Sequence, residues 1–86
     1  MDKVKEAVLR LHTGLMHERG IDRESSPELE IRPKNGITSE SIVVFILDLE
    51  DELDIELDEY LLQIRKAKTI ESFIGIVEDA YREQHS

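Results

Sequence analysis

The sequence predicts an all-α fold, a small bundle of three to four helices, and three observations lead to this prediction. Apolar residues recur at spacings of three and four in three segments, which is the helical period. Good helix-starting residues precede these segments. The chain has 86 residues, 40% of them apolar, which suits one domain with one modest core. We predict helices at about 3–18, 39–53, 58–65 (a short one) and 70–83, in a single domain covering 1–86.

The first predicted helix follows Asp2, a suitable N-cap. It should stop near Gly20. Five residues share one face at helical spacing and are expected to be buried: Val4, Ala7, Val8, Leu11 and Leu15.

The second predicted helix contains six consecutive apolar residues, Ile42 to Leu47. The β-branched part of this run alone is compatible with a strand, but the periodicity continues to Leu53 with polar residues interleaved, which favours a helix. The stripe predicted for the core consists of Ile42, Ile46, Leu49 and Leu53, with Val43 and Leu47 beside it. Because Val43, Val44 and Leu47 cannot all face the core as well, some of them should line a pocket or stay exposed to partners.

The last predicted helix follows Thr69, another good N-cap. It should bury Ile70, Phe73, Ile74, Val77 and Tyr81. Just before it, Tyr60, Leu61 and Ile64 fit one short helical turn. A connection of 19 residues, Gly20 to Thr38, separates the first two helices, and aperiodic loops of that length are often functional.

The charge distribution indicates which partners to expect. The formal net charge is −9, with 20 acids against 11 bases, which argues against nucleic acid because phosphate-backbone affinity comes largely from lysine and arginine. Eight acids fall within residues 48–59 with no base among them, and an acidic face attracts basic protein surfaces. With no cysteine, no signal peptide and no apolar run long enough to cross a bilayer, we expect a cytoplasmic monomer that does not bind membranes.

One spacing pattern leads into the second predicted helix. Gly36 is followed by Ile37, Thr38 and Ser39, and Leu53 lies fourteen residues after Ser39 within the stretch LEDELDIEL. Together with the order of the helices and the long loop, this pattern resembles the acyl carrier protein family. Members of that family have a glycine, two residues, and then a serine that opens an acidic second helix, and the match needs no gap. The closing KTIESFIGIVEDAY is similar to the family's third helix, so the resemblance covers roughly residues 36–82.

The resemblance implies that Ser39 carries a covalent 4′-phosphopantetheine arm. It implies a carrier used in fatty acid, polyketide or related biosynthesis, with a phosphopantetheinyl transferase and acyl-handling enzymes as partners. The residues that it implies for docking are Glu40, Val43, Leu47, Asp48, Glu50, Asp51 and Asp54. This chain departs from the family at the centre, with Thr38-Ser39-Glu40 in place of Asp-Ser-Leu.

A second register is open, because Glu40-Ser41-Ile42 is chemically closer to Asp-Ser-Leu. It makes Ser41 the attachment residue, but it requires a two-residue gap within a helix, which rotates the downstream stripe by about 200°. The ungapped register, with Ser39, is therefore preferred.

Other functions leave weaker signals. No catalytic constellation is visible, so the expected function is not enzymatic, and His12 and His17 do not share a helical face as metal ligands would. Arg32 and Lys34 are either solvated loop charges or partners for a phosphate on Ser39. The alternative function is a protein-interaction module that has kept a carrier-like fold, has lost the arm, and binds through the acidic helix.

Overall fold

The computed structural model describes residues 2–86 and confirms the all-α class. The helices are α1 (Asp2–Glu18), α2 (Ser41–Leu53), α3 (Leu61–Lys66) and α4 (Ile70–His85). Two 3₁₀ turns, Pro33–Asn35 and Asp58–Tyr60, precede α2 and α3. Within residues 2–86 there is no β-strand, and only an isolated antiparallel bridge joins Glu30 to Thr69.

Helix α1 packs against α2 and α4. Its buried face includes Val4, Ala7, Val8 and Leu15, as the periodicity predicts. Leu11 was expected in the core but is only half-buried, while His12 and Met16 are fully enclosed. The buried face of α1 is therefore rotated from Leu11 toward His12. The His12 ring can be buried because both of its nitrogens form hydrogen bonds with residues of the loop.

The buried stripe of α2 differs from the predicted one. The residues that face the core are Ser41, Phe45, Leu49 and Leu53, whereas Ile42 and Ile46 are half-buried at its edge. The ring of Phe45 stacks on that of Phe73, with 5.0 Å between centroids. Because every residue from 42 to 47 is apolar, no polar position within this run indicates whether Phe45 or Ile46 faces the core.

Helix α2 also begins at Ser41, two residues later than predicted, and ends in a left-handed residue, Asp54, with φ of 53°. The last turn of α4 closes this end. The Nε2 atom of His85 donates to the carbonyl oxygens of Leu53 (3.1 Å) and Asp54 (2.9 Å). These carbonyls have no partner within α2, so the histidine satisfies groups that a helix end otherwise leaves to water.

Helix α4 begins as predicted, with the Thr69 hydroxyl accepting from the backbone N–H of Ser72 at 3.2 Å. Ile70, Phe73, Ile74 and Val77 are buried. Tyr81, which was expected in the core, is half-buried. Its ring stacks on the ring of His85, with 4.3 Å between centroids, at the outer edge of the bundle.

The long loop between α1 and α2 lies against the start of α4. The backbone N–H of Ile31 donates to Lys68 O at 2.9 Å, and that of Ile70 donates to Leu29 O at 2.9 Å. These bonds hold the loop beside the α3–α4 connection, so that Ile31 and Pro33 lie opposite α2 across an open groove.

Candidate functional site

Two side-chain hydroxyls cap the N-terminal end of α2, and neither of them belongs to Ser39. The Thr38 Oγ1 accepts from the Ser41 backbone N–H at 3.1 Å, and the Ser41 Oγ accepts from the Thr38 backbone N–H at 2.8 Å. This reciprocal pair is a capping box with serine in the third position. Thr38 therefore caps this end of the helix, and Ser39 follows it without taking part in the cap.

The two candidate serines have opposite environments. The Ser41 side chain is buried and its Oγ also donates to Gly36 O at 2.8 Å, so both its donor and its acceptor capacity are used. Ser39 is exposed, and its hydroxyl makes no hydrogen bond to the described residues. A hydroxyl that reacts with an external reagent must be accessible, which Ser39 is and Ser41 is not.

Gly36 fixes the position of the loop that leads into this cap. Its φ is 82°, a left-handed conformation that glycine adopts without strain. A Cβ built at this position lies 3.3 Å from both the Cα and the Cγ of Met16, so the loop backbone lies directly on α1. The loop and the start of α2 are therefore held against the first helix.

A buried polar cluster beneath this loop completes the support. The Nε2 of His12 donates to Asn35 O at 2.8 Å, which requires the proton on Nε2, so the Nδ1 accepts from the Ser25 hydroxyl at 2.6 Å. The Asn35 side chain donates to Glu30 O at 2.8 Å and accepts from Arg23 at 2.6 Å. Within residues 2–86 no buried side-chain polar atom is left without a partner.

Burial lowers the pKa of His12 below its usual value of 6.5, and the hydrogen bond to Asn35 O opposes that shift only in part. The neutral ring is therefore the form that the folded protein favours. The Ser25 hydroxyl and the His12 ring are within hydrogen-bond distance, as a nucleophile and its general base would be, but neither residue lines the groove beside Ser39. We interpret the pair as structural.

The groove beside Ser39 has a volume of about 620 Å³ and lies between the loop, α2 and α3. Its α2 wall is formed by Ile42, Val43 and Ile46, the residues that the rotation of the helix turns away from the core centre. Leu61 and Ile64 of α3 form the opposite wall. A volume of this size lies within the range of about 300–1,000 Å³ that is typical of small-molecule sites.

The exposed side of α2 combines apolar and acidic side chains. Val43, Val44 and Leu47 are 54%, 51% and 57% exposed, which confirms that they do not all pack into the core. Asp48 and Asp51 are exposed beside them, and their carboxylates make no ion pair with the described residues.

The other acidic residues expected to contact partners are Glu40, Glu50 and Asp54, and they differ in exposure and in hydrogen bonding. Glu40 and Asp54 are exposed. The Glu50 carboxylate instead accepts from the Leu57 backbone N–H at 2.7 Å, so part of its bonding capacity holds the loop after α2. Arg32 and Lys34 both lie near the Glu30 carboxylate, at 3.6 and 3.4 Å, rather than at Ser39.

Sequence reasoning did not identify the His12 cluster. Its partners, Ser25 and Asn35, lie 13 and 23 residues further along the chain, and no spacing rule links them. One signal was present, since position 12 lies between Val8 and Leu15 on the apolar face of α1. A histidine on such a face needs buried partners.

Comparisons with known proteins leave the family open. No protein-family profile, no curated protein and no solved structure matches the chain. Among residues 2–86 no group of three or more histidine, aspartate or glutamate side chains is arranged to hold a metal ion. None of the helices in that range is both long and apolar enough to span a bilayer.

Proposed function

We propose that this protein is an acyl or aminoacyl carrier that tethers its cargo to a phosphopantetheine arm on Ser39. One observation carries the proposal. The Ser39 hydroxyl is exposed and unbonded at the start of α2, at the rim of an apolar groove, while the neighbouring hydroxyls of Thr38 and Ser41 hold the helix in place. The resemblance of residues 36–82 to acyl carrier proteins, glycine spacing included, points to the same serine.

The attachment step is a phosphoryl transfer from coenzyme A. The Ser39 Oγ bonds to the phosphorus that bears the pantetheine chain, the bridging P–O bond of the pyrophosphate breaks, and adenosine 3′,5′-bisphosphate leaves. The hydroxyl proton goes to a base on the transferase, since the Ser39 hydroxyl contacts no base in the part of the chain that the structure describes. Once attached, the arm supplies a thiol that holds an acyl group as a thioester.

The residues of this chain then present the cargo and attract enzymes. The unpaired carboxylates of Asp48 and Asp51 steer basic surfaces, and the exposed Val43 and Leu47 provide apolar contact. Exposed charge pairs contribute only about 0–1 kcal/mol each, which suits a carrier that must leave one enzyme for the next. Catalysis belongs to those enzymes, and tethering raises the effective concentration of cargo.

The experiment is an intact-mass measurement after incubation with coenzyme A, magnesium and a broad-specificity phosphopantetheinyl transferase. Wild type and Ser41→Ala should gain one arm, and Ser39→Ala should gain none. Ser26→Ala serves as a matched serine control, and circular dichroism verifies that each variant is folded. Modification that is lost only in Ser41→Ala would show that the second register is correct.

A second function, an interaction module without an arm, is favoured by Glu40. Acyl carrier proteins have an apolar residue after the attachment serine, and here an exposed carboxylate stands there. The variant Glu40→Leu separates the two functions. If wild type stays unmodified, in its native host as well as in vitro, while Glu40→Leu gains the arm, the site has lost its recognition by transferases and the interaction module is correct.

A further inference from the structure

The groove beside Ser39 has one charged residue in its lining. Nine of its twelve lining residues are apolar, and Thr38 and Ser39 contribute hydroxyls. The remaining residue is Arg65, near the end of α3. The chain has 20 acids and 11 bases, so its net charge is negative. The charge in the lining of this groove is instead positive, because the lining contains Arg65 and no carboxylate.

Arg65 is also the arginine whose charge is not used elsewhere. The chain has six arginines, all within residues 2–86, and five of them contact a polar partner: Arg10 contacts Glu52, Arg19 contacts Thr38, Arg23 contacts Asn35, Arg32 contacts Glu30 and Arg82 contacts Asp79. The Arg65 side chain makes no hydrogen bond or ion pair with the described residues. Its guanidinium is therefore available to a ligand.

These two facts specify the chemistry of an occupant. Aliphatic walls favour an aliphatic chain, because burying apolar surface removes it from water. A guanidinium favours a carboxylate, to which it donates two parallel hydrogen bonds. A cationic amphiphile is disfavoured by Arg65, and a simple anion gains nothing from the walls.

We propose that this groove binds an aliphatic carboxylate, with Arg65 holding the carboxylate and the side chains of α2 and α3 enclosing the chain. The binding does not require modification of Ser39. One consequence rests on the proposed function. If the protein is a carrier, the thioester uses one carboxyl group of the cargo, and the groove selects acyl groups that have a second, free carboxylate for Arg65.

The test uses the unmodified protein and three small probes: octanoate, octan-1-ol and acetate. In ¹⁵N–¹H NMR titrations, octanoate should shift amides of residues 37–46 and 61–67 in a saturable manner. Its dissociation constant should be about two- to fivefold lower than that of octan-1-ol, the range expected for one exposed ion pair. Acetate, which has the same head and almost no chain, should bind about tenfold more weakly or worse.

Two variants assign the preference to one residue. Arg65→Gln should bring the octanoate affinity down to that of octan-1-ol and leave octan-1-ol unchanged. Arg82→Gln, an exposed arginine on α4 that pairs with Asp79, should keep the wild-type preference. The inference is overturned if octanoate binds no tighter than octan-1-ol, if the shifts fall outside the groove, or if the preference survives Arg65→Gln.

The two proposals fail separately. Since no transferase or coenzyme A is present in this titration, an unmodifiable Ser39 has no effect on it. Conversely, Arg65→Gln should still accept the arm if Ser39 is the attachment residue. A wild-type protein that accepts the arm but binds octanoate no tighter than octan-1-ol would contradict the groove inference alone.

Discussion

The two sides of α2 differ in how completely their groups are satisfied. On the inner side, Phe45 and Leu49 are enclosed, and the neighbouring loop is held by the His12 cluster, where each polar group has a partner. On the outer side, Val43 and Leu47 are more than half exposed, and the Arg65 guanidinium across the groove has no hydrogen-bond or ion-pair partner among residues 2–86. One side therefore provides stability, and the other has binding capacity that the folded chain does not itself use.

The largest effect should come from removing the aromatic ring at the centre of the inner side. Phe45→Ala should lower the free energy of unfolding by about 3–5 kcal/mol, because the Phe73 ring and its neighbours lose their packing partner. Val44→Ala, one residue along the same helix but half exposed, should cost less than about 1 kcal/mol. Urea unfolding of both variants measures the difference, and equal losses would mean that the inner side is not the stabilising one.

A smaller loss is expected where the loop crosses α1. Gly36→Ala should cost about 2–3 kcal/mol, since it combines a left-handed backbone with a Cβ 3.3 Å from Met16. Gly20→Ala is the matched control, because its φ of 79° is similar but nothing lies within 4 Å of the added Cβ. Chemical denaturation should give the control about half the loss or less. If both variants lose equally, the contact with Met16 contributes nothing.

The two serines provide a third comparison within three residues. Ser41→Ala should cost about 1–2 kcal/mol, because it leaves the Thr38 N–H and Gly36 O without their partner. Ser39→Ala should change the free energy of unfolding by less than about 0.5 kcal/mol. Thermal unfolding of the unmodified proteins measures both, and a destabilised Ser39→Ala would contradict the assignment of Thr38 as the cap.

The smallest effect is a dependence on pH. Because the pKa of His12 is lower in the folded protein than its usual 6.5 in the unfolded chain, the unfolded chain takes up the proton first as the pH falls. The stability contributed by the neutral ring is complete above about pH 6.5 and is lost as the pH falls toward the folded pKa. His12→Gln should reduce this slope between pH 7 and 5 in urea titrations, and an unchanged slope would assign it to other groups.

The sequence predicted the helices well because their signals are local. The Thr69 cap and the apolar spacing of α1 and α4 lie within a few residues of the elements that they define. The rotation of α2 could not be predicted, because it depends on Ser41 bonding to Gly36 and on Phe45 meeting Phe73, 28 residues away. Ser39 was preferred as the attachment residue from a resemblance that includes its spacing to Gly36, and this stays a prediction. That its hydroxyl is unbonded depends on the Thr38 and Ser41 geometry, which the sequence does not show.

The groove shows the same limit. The apolar run predicted surplus side chains on α2, and Val43 and Leu47 are exposed accordingly. The role of Arg65 could not be predicted from the sequence. It depends on Arg65 lining the groove with no carboxylate beside it, and this is known only once α3 has been placed against α2 and the loop.

The capping box has a kinetic consequence for any reagent that reacts at Ser39. Since Thr38 and Ser41 hold the first turn, the Ser39 hydroxyl is accessible in the native state and no local opening has to precede reaction. Its rate of modification should therefore be insensitive to low concentrations of denaturant. Ser41, in contrast, becomes reactive only in molecules whose first turn has unwound, so its reactivity reports the opening equilibrium of the helix.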